Sequence, residues 1–474
     1  MLTERTELDL DVFRRYAGVS LPRHVSYPMP SWWKELNTME KASIRMENEF
    51  KFPLLDASLY LHIPFCEKLC RYCACTREII PRTSRRREPL VNAYVDAIRN
   101  EIHGLKKVAD KGRILRQIHW GGGTPTYLPD DYLERIHHTI TEVFTIAPDA
   151  EIAMEIDPRT VTRDTLAHLR RLGFNRVSLG VQDFDLTVQE HVHRVQSFDL
   201  VRETVEHCRE VGIESVNFDL IYGMPYQTPD TIRDTIEKTV EISPDRIAYY
   251  HYAQIPEKIA TQRGMDYTRL PDSESKLDMY LLGMQMFADA GYEYIGLDHF
   301  AKPDELLASA RQDETLQRNF QGMTTGGGLD LYGVGASSIS HLLGVAFLQN
   351  VKETEPYIAR MNDGGEPAER GKRLTFDDRV RQALINQLYC HAVVRPDVIE
   401  RTYNIDFGTY FNRELEILAD LEADGLVVVD ADRTIHVTHP LGRVLMRNVA
   451  AVFDAYLDPQ AYRYGETACF SKNA

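Results

Sequence analysis

No run of about 18 apolar residues occurs in the 474-residue chain, so a membrane-spanning helix is not expected. The opening MLTERTELDLDVF has neither the basic head nor the apolar centre of a secretory leader. The chain is therefore expected in the cytoplasm. Basic residues are in deficit, and the net charge of −16 argues against a nucleic-acid partner. The same deficit would repel an anionic substrate unless cations are gathered locally. There is no G-x-G-x-x-G turn and no P-loop lysine, which weakens any dinucleotide or ATP reading. There is no internal repeat beyond an alternation of strand and helix patterns, and no low-complexity tract. What remains, 43% hydrophobic and 27% charged residues, is the balance of a globular protein of two or three domains.

Cysteine is scarce except in one place. Four of the seven fall in CEKLCRYCAC, residues 66–75, where Cys66, Cys70 and Cys73 form C-x3-C-x2-C and Cys75 follows. In a reducing compartment such a cluster binds metal or does redox work more often than it forms disulfides. No second cysteine pair or histidine pair lies downstream, as a zinc knuckle would need. Three thiolates on a short loop suit a [4Fe–4S] cluster with one iron lacking a protein ligand, open to a small molecule. Cys208, Cys390 and Cys469 are isolated and are expected to be inert.

Apolar, β-branched or aromatic runs at 58–64, 116–121, 151–156, 175–181, 215–221 and 246–252 alternate with helical patterns, which predicts βα units on a parallel sheet. Val91, Tyr94, Val95, Ile98, Ile102 and Leu105 lie on one helix face. Thr228-Pro229-Asp230 is a helix start, with Ile232, Ile236 and Val240 spaced four apart. Six such units make an α/β fold, a partial (β/α)6 three-quarter TIM-type barrel, and YEYIGLD (292–298) would extend its edge. Chemistry sits at the carboxyl ends of barrel strands. There lie the cysteine loop, Gly121-Gly122-Gly123-Thr124, Glu155, Gln182 and Asp219. Glycines let backbone approach a ligand closely. Glu155 and Asp219 are either helix-capping acids or acceptors for ribose hydroxyls, and Arg194 is either a surface cation or a bidentate clamp for a carboxylate.

C-x3-C-x2-C after a strand, with Tyr72 before the third cysteine, resembles the signature loop of radical S-adenosylmethionine (SAM) enzymes. SLYLHIPFC, HWGGGTPTYL, EIDPR, LGVQDF, DLIYGMP, DHFAKPDE and NFQGMTT follow in an order similar to the oxygen-independent coproporphyrinogen III oxidases, from about residue 12 to 457. That resemblance implies one [4Fe–4S] cluster on Cys66, Cys70 and Cys73 and two SAM molecules. The first would meet Tyr60, Gly122, Glu155 and Ile339. The second would meet Tyr72, Gly123, Thr124, Gln182, Arg194, Asp219 and Ala253. Gln321 would join them, and Cys75, not a cluster ligand, would stand with Tyr60 at the reacting centre. Cluster-driven cleavage of SAM gives a 5′-deoxyadenosyl radical. The implied reaction is oxidative decarboxylation of two propionates of coproporphyrinogen III to vinyl groups, giving protoporphyrinogen IX. A low-potential donor such as flavodoxin or ferredoxin and a monomeric chain go with it. Relatives of this architecture are two-SAM methylases or cyclopropanases, and paralogues are haem-binding chaperones. Cys73-Ala74-Cys75 speaks against the last.

The expected domains are an N-terminal arm (1–55), the barrel with a glycine-rich closing loop (56–365) and a smaller helical, winged-helix-like domain (366–474). Residues 318–340 read as a loop too rich in glycine to be core. The C-terminal region is not strongly basic, so a structural or substrate-covering role is expected of it, not nucleic-acid binding. The arm departs from the family's G-P-R-Y-T-S-Y-P, with Leu21-Pro22-Arg23-His24-Val25-Ser26-Tyr27-Pro28, and Thr76-Arg77 replaces Asn-Lys after Cys75. Arg14, Arg15, Arg23 and Arg77 are the cations expected at the mouth, where a tetracarboxylate would enter.

Overall fold

A computed structural model describes residues 8–464. Six parallel strands stand side by side in chain order: β1 (Ala57–Ile63), β2 (Ile114–Gly122), β3 (Thr145–Ile156), β4 (Arg176–Gln182), β5 (Ser215–Tyr222) and β6 (Arg246–His251). Helices follow them in turn: α1 (Arg87–Gly104), α2 (Asp130–Val143), α3 (Arg163–Arg171), α4 (Phe198–Glu210), α5 (Pro229–Ile242) and α6 (Ser273–Asp289). This is the expected partial barrel. All seven residues of β1 are buried, as in a parallel strand covered on both faces. Helix α1 buries Val91, Tyr94, Val95, Ile98 and Ile102 against the sheet. Helix α5 starts where the sequence placed it, with the Thr228 hydroxyl accepting from the Thr231 N–H and Pro229 at the first position.

Both edges differ from expectation. The run at 292–298 does extend the sheet, but as a hairpin: β7 (His299–Ala301) lies antiparallel to β6, and Glu293–Gly296 pairs outside it. Positive φ at Gly296 and Leu297 reverses the chain between the two. At the other edge, β8 (Asp330–Val334) runs parallel to β1, and Ile339–Leu342, Ala346–Asn350, Ala368–Arg373 and Lys34–Glu35 continue outward, giving thirteen strands in one open sheet. Much of the glycine-rich stretch is thus core and not a loop, with Leu331, Tyr332 and Val334 buried. Its glycine serves close approach: a Cβ on Gly333 would stand 2.4 Å from the Ile339 carbonyl oxygen. The earlier part of the stretch is a small hairpin, Gln317–Asn319 with Gly322–Thr324.

After Arg373 the chain is mainly helical. Helix α7 (Phe376–His391) precedes a three-stranded antiparallel sheet of Val393–Val394, Val427–Val429 and Ile435–Val437, whose last two strands flank Ala431-Asp432. The amino-terminal segment is pinned to this region. Tyr16 Oη donates to Asp424 at 2.6 Å, and the buried His24 ring lies between Tyr389 Oη at 3.1 Å and Asp454 at 3.0 Å. His24 is therefore a packed link. Cys208 and Cys390 are buried thiols, and Cys469 lies outside the described residues.

Candidate active site

Side chains alternate along a strand, so every second residue of β1–β7 points into the barrel. Here those positions are polar: His62, Gln117, His119, Glu155, Ser178, Asn217, Asp219, Tyr250 and His299 are half-buried or buried. All of these except His62 line a cavity of about 420 Å³ at the carboxyl ends of the strands. Its floor is a charged layer. Glu151 accepts from Gln117 at 2.9 Å and Arg246 at 2.9 Å and pairs with Arg176 at 3.3 Å, while Arg246 also reaches Glu305. Burial would push the Glu151 carboxyl up, but the Arg176 and Arg246 charges hold it far below the usual range. Two acids and two bases cancel, so the layer closes the barrel without a net buried charge.

The cysteine loop forms one wall. Cys66, Cys70, Cys73 and Cys75 all line the cavity. Burial raises the Cys66 thiol to about 11 against the Thr124 hydroxyl 3.5 Å away, and the Cys75 hydrogen bond lowers Cys73 to about 6. The loop is held from beneath. The His62 Nε2–H donates to the Thr76 carbonyl at 2.9 Å, which leaves Nδ1 to accept from Tyr60 Oη at 3.1 Å. Burial keeps that ring neutral by lowering its pKa.

Gly122 ends β2 and Gly123 follows it, beside the loop. Gly122 has φ of 116°, and a Cβ there would meet the His62 ring at 2.7 Å, so no other residue fits. Its N–H donates to Glu155 Oε2 at 3.1 Å, while Oε1 accepts from His119 Nε2 at 3.2 Å. Burial opposes ionisation of Glu155, but the His119 bond and charge and the Gly122 N–H bring its pKa below the usual value. Asp219 differs: burial and the Glu155 charge raise it to about 6, against the Ser178 and Asn217 bonds at 3.0 and 2.9 Å. Two carboxylates of unequal basicity thus face one cavity. Arg194 is pre-engaged, pairing with Asp157 at 3.1 Å, donating to the Gly180 carbonyl at 2.6 Å and lying 3.6 Å from Cys70 Sγ.

The Radical SAM superfamily profile matches residues 60–239. Oxygen-independent coproporphyrinogen III oxidase of Escherichia coli is 40% identical over 462 residues, 97% of this chain and 98% of that protein. That of Pseudomonas aeruginosa is 40% identical over 95% of this chain and 96% of its own. The chain belongs to the oxygen-independent coproporphyrinogen III oxidase family. The solved coproporphyrinogen III oxidase of Escherichia coli, described as a radical SAM enzyme, superposes with a TM-score of 0.87 at 39% identity, over 95% of this chain and 99% of that one.

The donor set suits the family's cluster. Among the described residues no three His, Cys, Asp or Glu side chains are grouped so as to hold one metal ion. A cluster takes one thiolate per iron, and Cys66, Cys70 and Cys73, which line one cavity, are the side chains that would supply three of them. Of the remaining expected residues, Tyr72, Gly122, Gly123, Thr124, Glu155, Gln182, Arg194, Asp219 and Gln321 line the cavity, the last from the tip of the 317–324 hairpin. Tyr60, Ala253 and Ile339 do not. Tyr60 stacks on His119 at 6.0 Å and meets Phe320 edge-on at 5.1 Å, and Ile339 packs with Trp33 and Phe347.

The cations are not those expected. Arg14 pairs with Glu274 and Asp11, Arg15 with Asp424, and Arg23 with Asp298, all outside this cavity. Salt links to the surface and to the C-terminal region hold them there. Of the four, Arg77 alone lines the cavity, donating to the Cys75 carbonyl and Thr261. Lys68, Arg159, Arg176, Arg194 and Arg246 also line it. His62, His119, Asn217, Ser178 and Asp157 escaped the sequence reading, although His62 is two residues along its strand from Tyr60 and Asn217 two from Asp219.

Proposed function

We propose that the chain catalyses oxidative decarboxylation of two propionate side chains of coproporphyrinogen III to vinyl groups, giving protoporphyrinogen IX. The observation that carries this reading is the near-complete match to oxygen-independent coproporphyrinogen III oxidases, joined to Cys66, Cys70, Cys73, Glu155 and Asp219 around one barrel cavity. Cys66, Cys70 and Cys73 hold the cluster in this account. Tyr60, Gly122, Glu155 and Ile339 serve one SAM, and Tyr72, Gly123, Thr124, Gln182, Arg194, Asp219, Ala253 and Gln321 the second. Bound, the cluster and SAM supply one-electron reduction and hydrogen-atom abstraction.

The protein's own residues bind, orient and exclude water. Glu155, ionised and held by His119 and Gly122, and Asp219, held by Ser178 and Asn217, are fixed acceptors for ribose hydroxyls. Arg194, already oriented by Asp157 and Gly180, presents positive charge to a carboxylate without reorganising. The His62–Thr76 bond fixes the loop, and Cys75 with Tyr60 stands at the reacting centre. The tetrapyrrole lies toward a second cavity of about 370 Å³ across the Phe320 hairpin, walled by Tyr389, Phe347, His341 and Arg318. Aromatic walls and a guanidinium suit a macrocycle bearing carboxylates. The arm to residue 55 and the region from 366 cover the barrel (56–365), and a cytoplasmic monomer receives its electron from a flavodoxin or ferredoxin.

Anaerobic incubation of the reconstituted protein with reductant, SAM and coproporphyrinogen III, followed by mass spectrometry, tests the reading. Stepwise appearance of the monovinyl and divinyl products supports it. Methyl transfer from SAM with no decarboxylation would replace it with a two-SAM methylase.

A further inference from the structure

A third cavity, of about 50 Å³, lies where the amino-terminal arm, the barrel and the C-terminal helices meet. Arg23 enters it from the arm, His251 from the end of β6, Lys276 from α6, Asp298 from the turn before β7, and Arg443 and Arg447 from helices Leu441–Val444 and Met446–Val452. His251 follows Tyr250, which faces the main cavity, so it points to the opposite side of the sheet. The two cavities share no lining residue.

Two features call for a ligand. The His251 side chain belongs to a residue only 7% exposed, yet neither ring nitrogen has a hydrogen-bond partner among the described residues, and the same is true of the buried Arg443 Nε. Four cationic side chains also border this space against a single carboxylate, in a chain that is acidic overall. Asp298 is 3.5 Å from Arg23, whose other nitrogen donates to the His251 carbonyl at 3.0 Å. Arg447 donates to the Pro22 carbonyl at 3.4 Å, and it and Lys276 have further contacts. Burial and the Arg23 charge lower Arg447 to about 9, so the cations are held together against their mutual repulsion.

We infer that this junction is a binding site for a small oxyanion of phosphate or carboxylate size. The cavity has room for such a group and not for a nucleotide. Guanidinium forks and an imidazole N–H are suited to its oxygens. Because the sheet separates it from the barrel interior, a free anion is the source that fits, and its binding ties arm, barrel and C-terminal helices together.

Calorimetric titration of the full chain with inorganic phosphate, at constant ionic strength set with chloride, tests this. Saturable phosphate binding is expected, weakened at least tenfold in Arg447→Gln and His251→Phe. Asp298→Asn, which removes the opposing carboxylate, should tighten it about tenfold, a gain that misfolding cannot mimic. A parallel titration with propionate separates the sources: binding of propionate but not phosphate, with the same variant pattern, keeps the oxyanion site and assigns it to a carboxylate. Absence of saturable binding by both anions, or affinities unchanged in Asp298→Asn and Arg447→Gln alike, would overturn the inference.

Discussion

Replacing Glu155 with Gln preserves shape and removes charge, and the structure sets what that does. The carboxylate now accepts from His119 Nε2 at 3.2 Å and Gly122 N at 3.1 Å, one donor per oxygen. Gln offers one oxygen and one NH2, so one of those donors loses its acceptor at a cost of about 1 kcal/mol to folding. The larger effect falls on the ligand. Hydrogen bonds to a charged acceptor contribute about 1.5–3 kcal/mol and neutral ones about 0.5–1.5, so two ribose hydroxyls lose about 2–3 kcal/mol together. SAM affinity at that site should fall roughly 30- to 150-fold. Equilibrium dialysis with anaerobic, cluster-loaded protein reads this directly, and a melting curve on the same sample separates it from unfolding. SAM binding within about threefold of the parent value, with both sites filled, would refute the assignment of Glu155 as a ribose acceptor.

Asp219, raised to about 6 by burial and the Glu155 charge, accepts ribose hydroxyls best when ionised, so affinity for one SAM should rise as pH increases from 5 to 7. Asp219→Asn should flatten that profile in pH-dependent dialysis. Gly122→Ala drives a Cβ into the His62 ring at a φ of 116°, and should lower the melting temperature and loosen the cysteine loop, seen as faster hydrogen exchange at residues 66–77. Arg246→Ala removes the cation that bridges Glu151 and Glu305, leaving buried Glu305 without its arginine and Glu151 with Arg176 alone, and denaturant unfolding should show a loss of about 3–5 kcal/mol. Cys66→Ala, Cys70→Ala and Cys73→Ala should each lose cluster iron and its absorbance, whereas Cys75→Ala should keep the iron and lose turnover.

The barrel was legible because its strands are short apolar runs and its ligand-facing residues sit at their ends, where glycine, acid and cysteine stand out against β-branched neighbours. Helices α1 and α5 were legible from spacing and capping. The rest was obscured by ordinary physics. His62, His119 and Asn217 face the interior at alternate positions, but a polar residue inside an apolar run carries no sign of which face it takes until the register is fixed. Strand β8 was hidden by its glycine, which serves strand-to-strand approach at Gly333 where the composition suggested a loop. The arm arginines were misplaced because nothing local shows that Arg15 will meet Asp424 or Arg23 meet Asp298. The cations of the cavity come instead from strand positions such as Arg176 and Arg246, whose partners are distant in sequence.

The central claim is that a hydrogen atom leaves a substrate propionate within this cavity. Coproporphyrinogen III deuterated at the propionate β-carbons, turned over anaerobically with reductant and SAM, tests it most directly. The account predicts deuterium in the 5′-deoxyadenosine recovered, matched by release of carbon dioxide and vinyl product, with no transfer in Cys70→Ala. Retention of all label in the tetrapyrrole while SAM is consumed would contradict it.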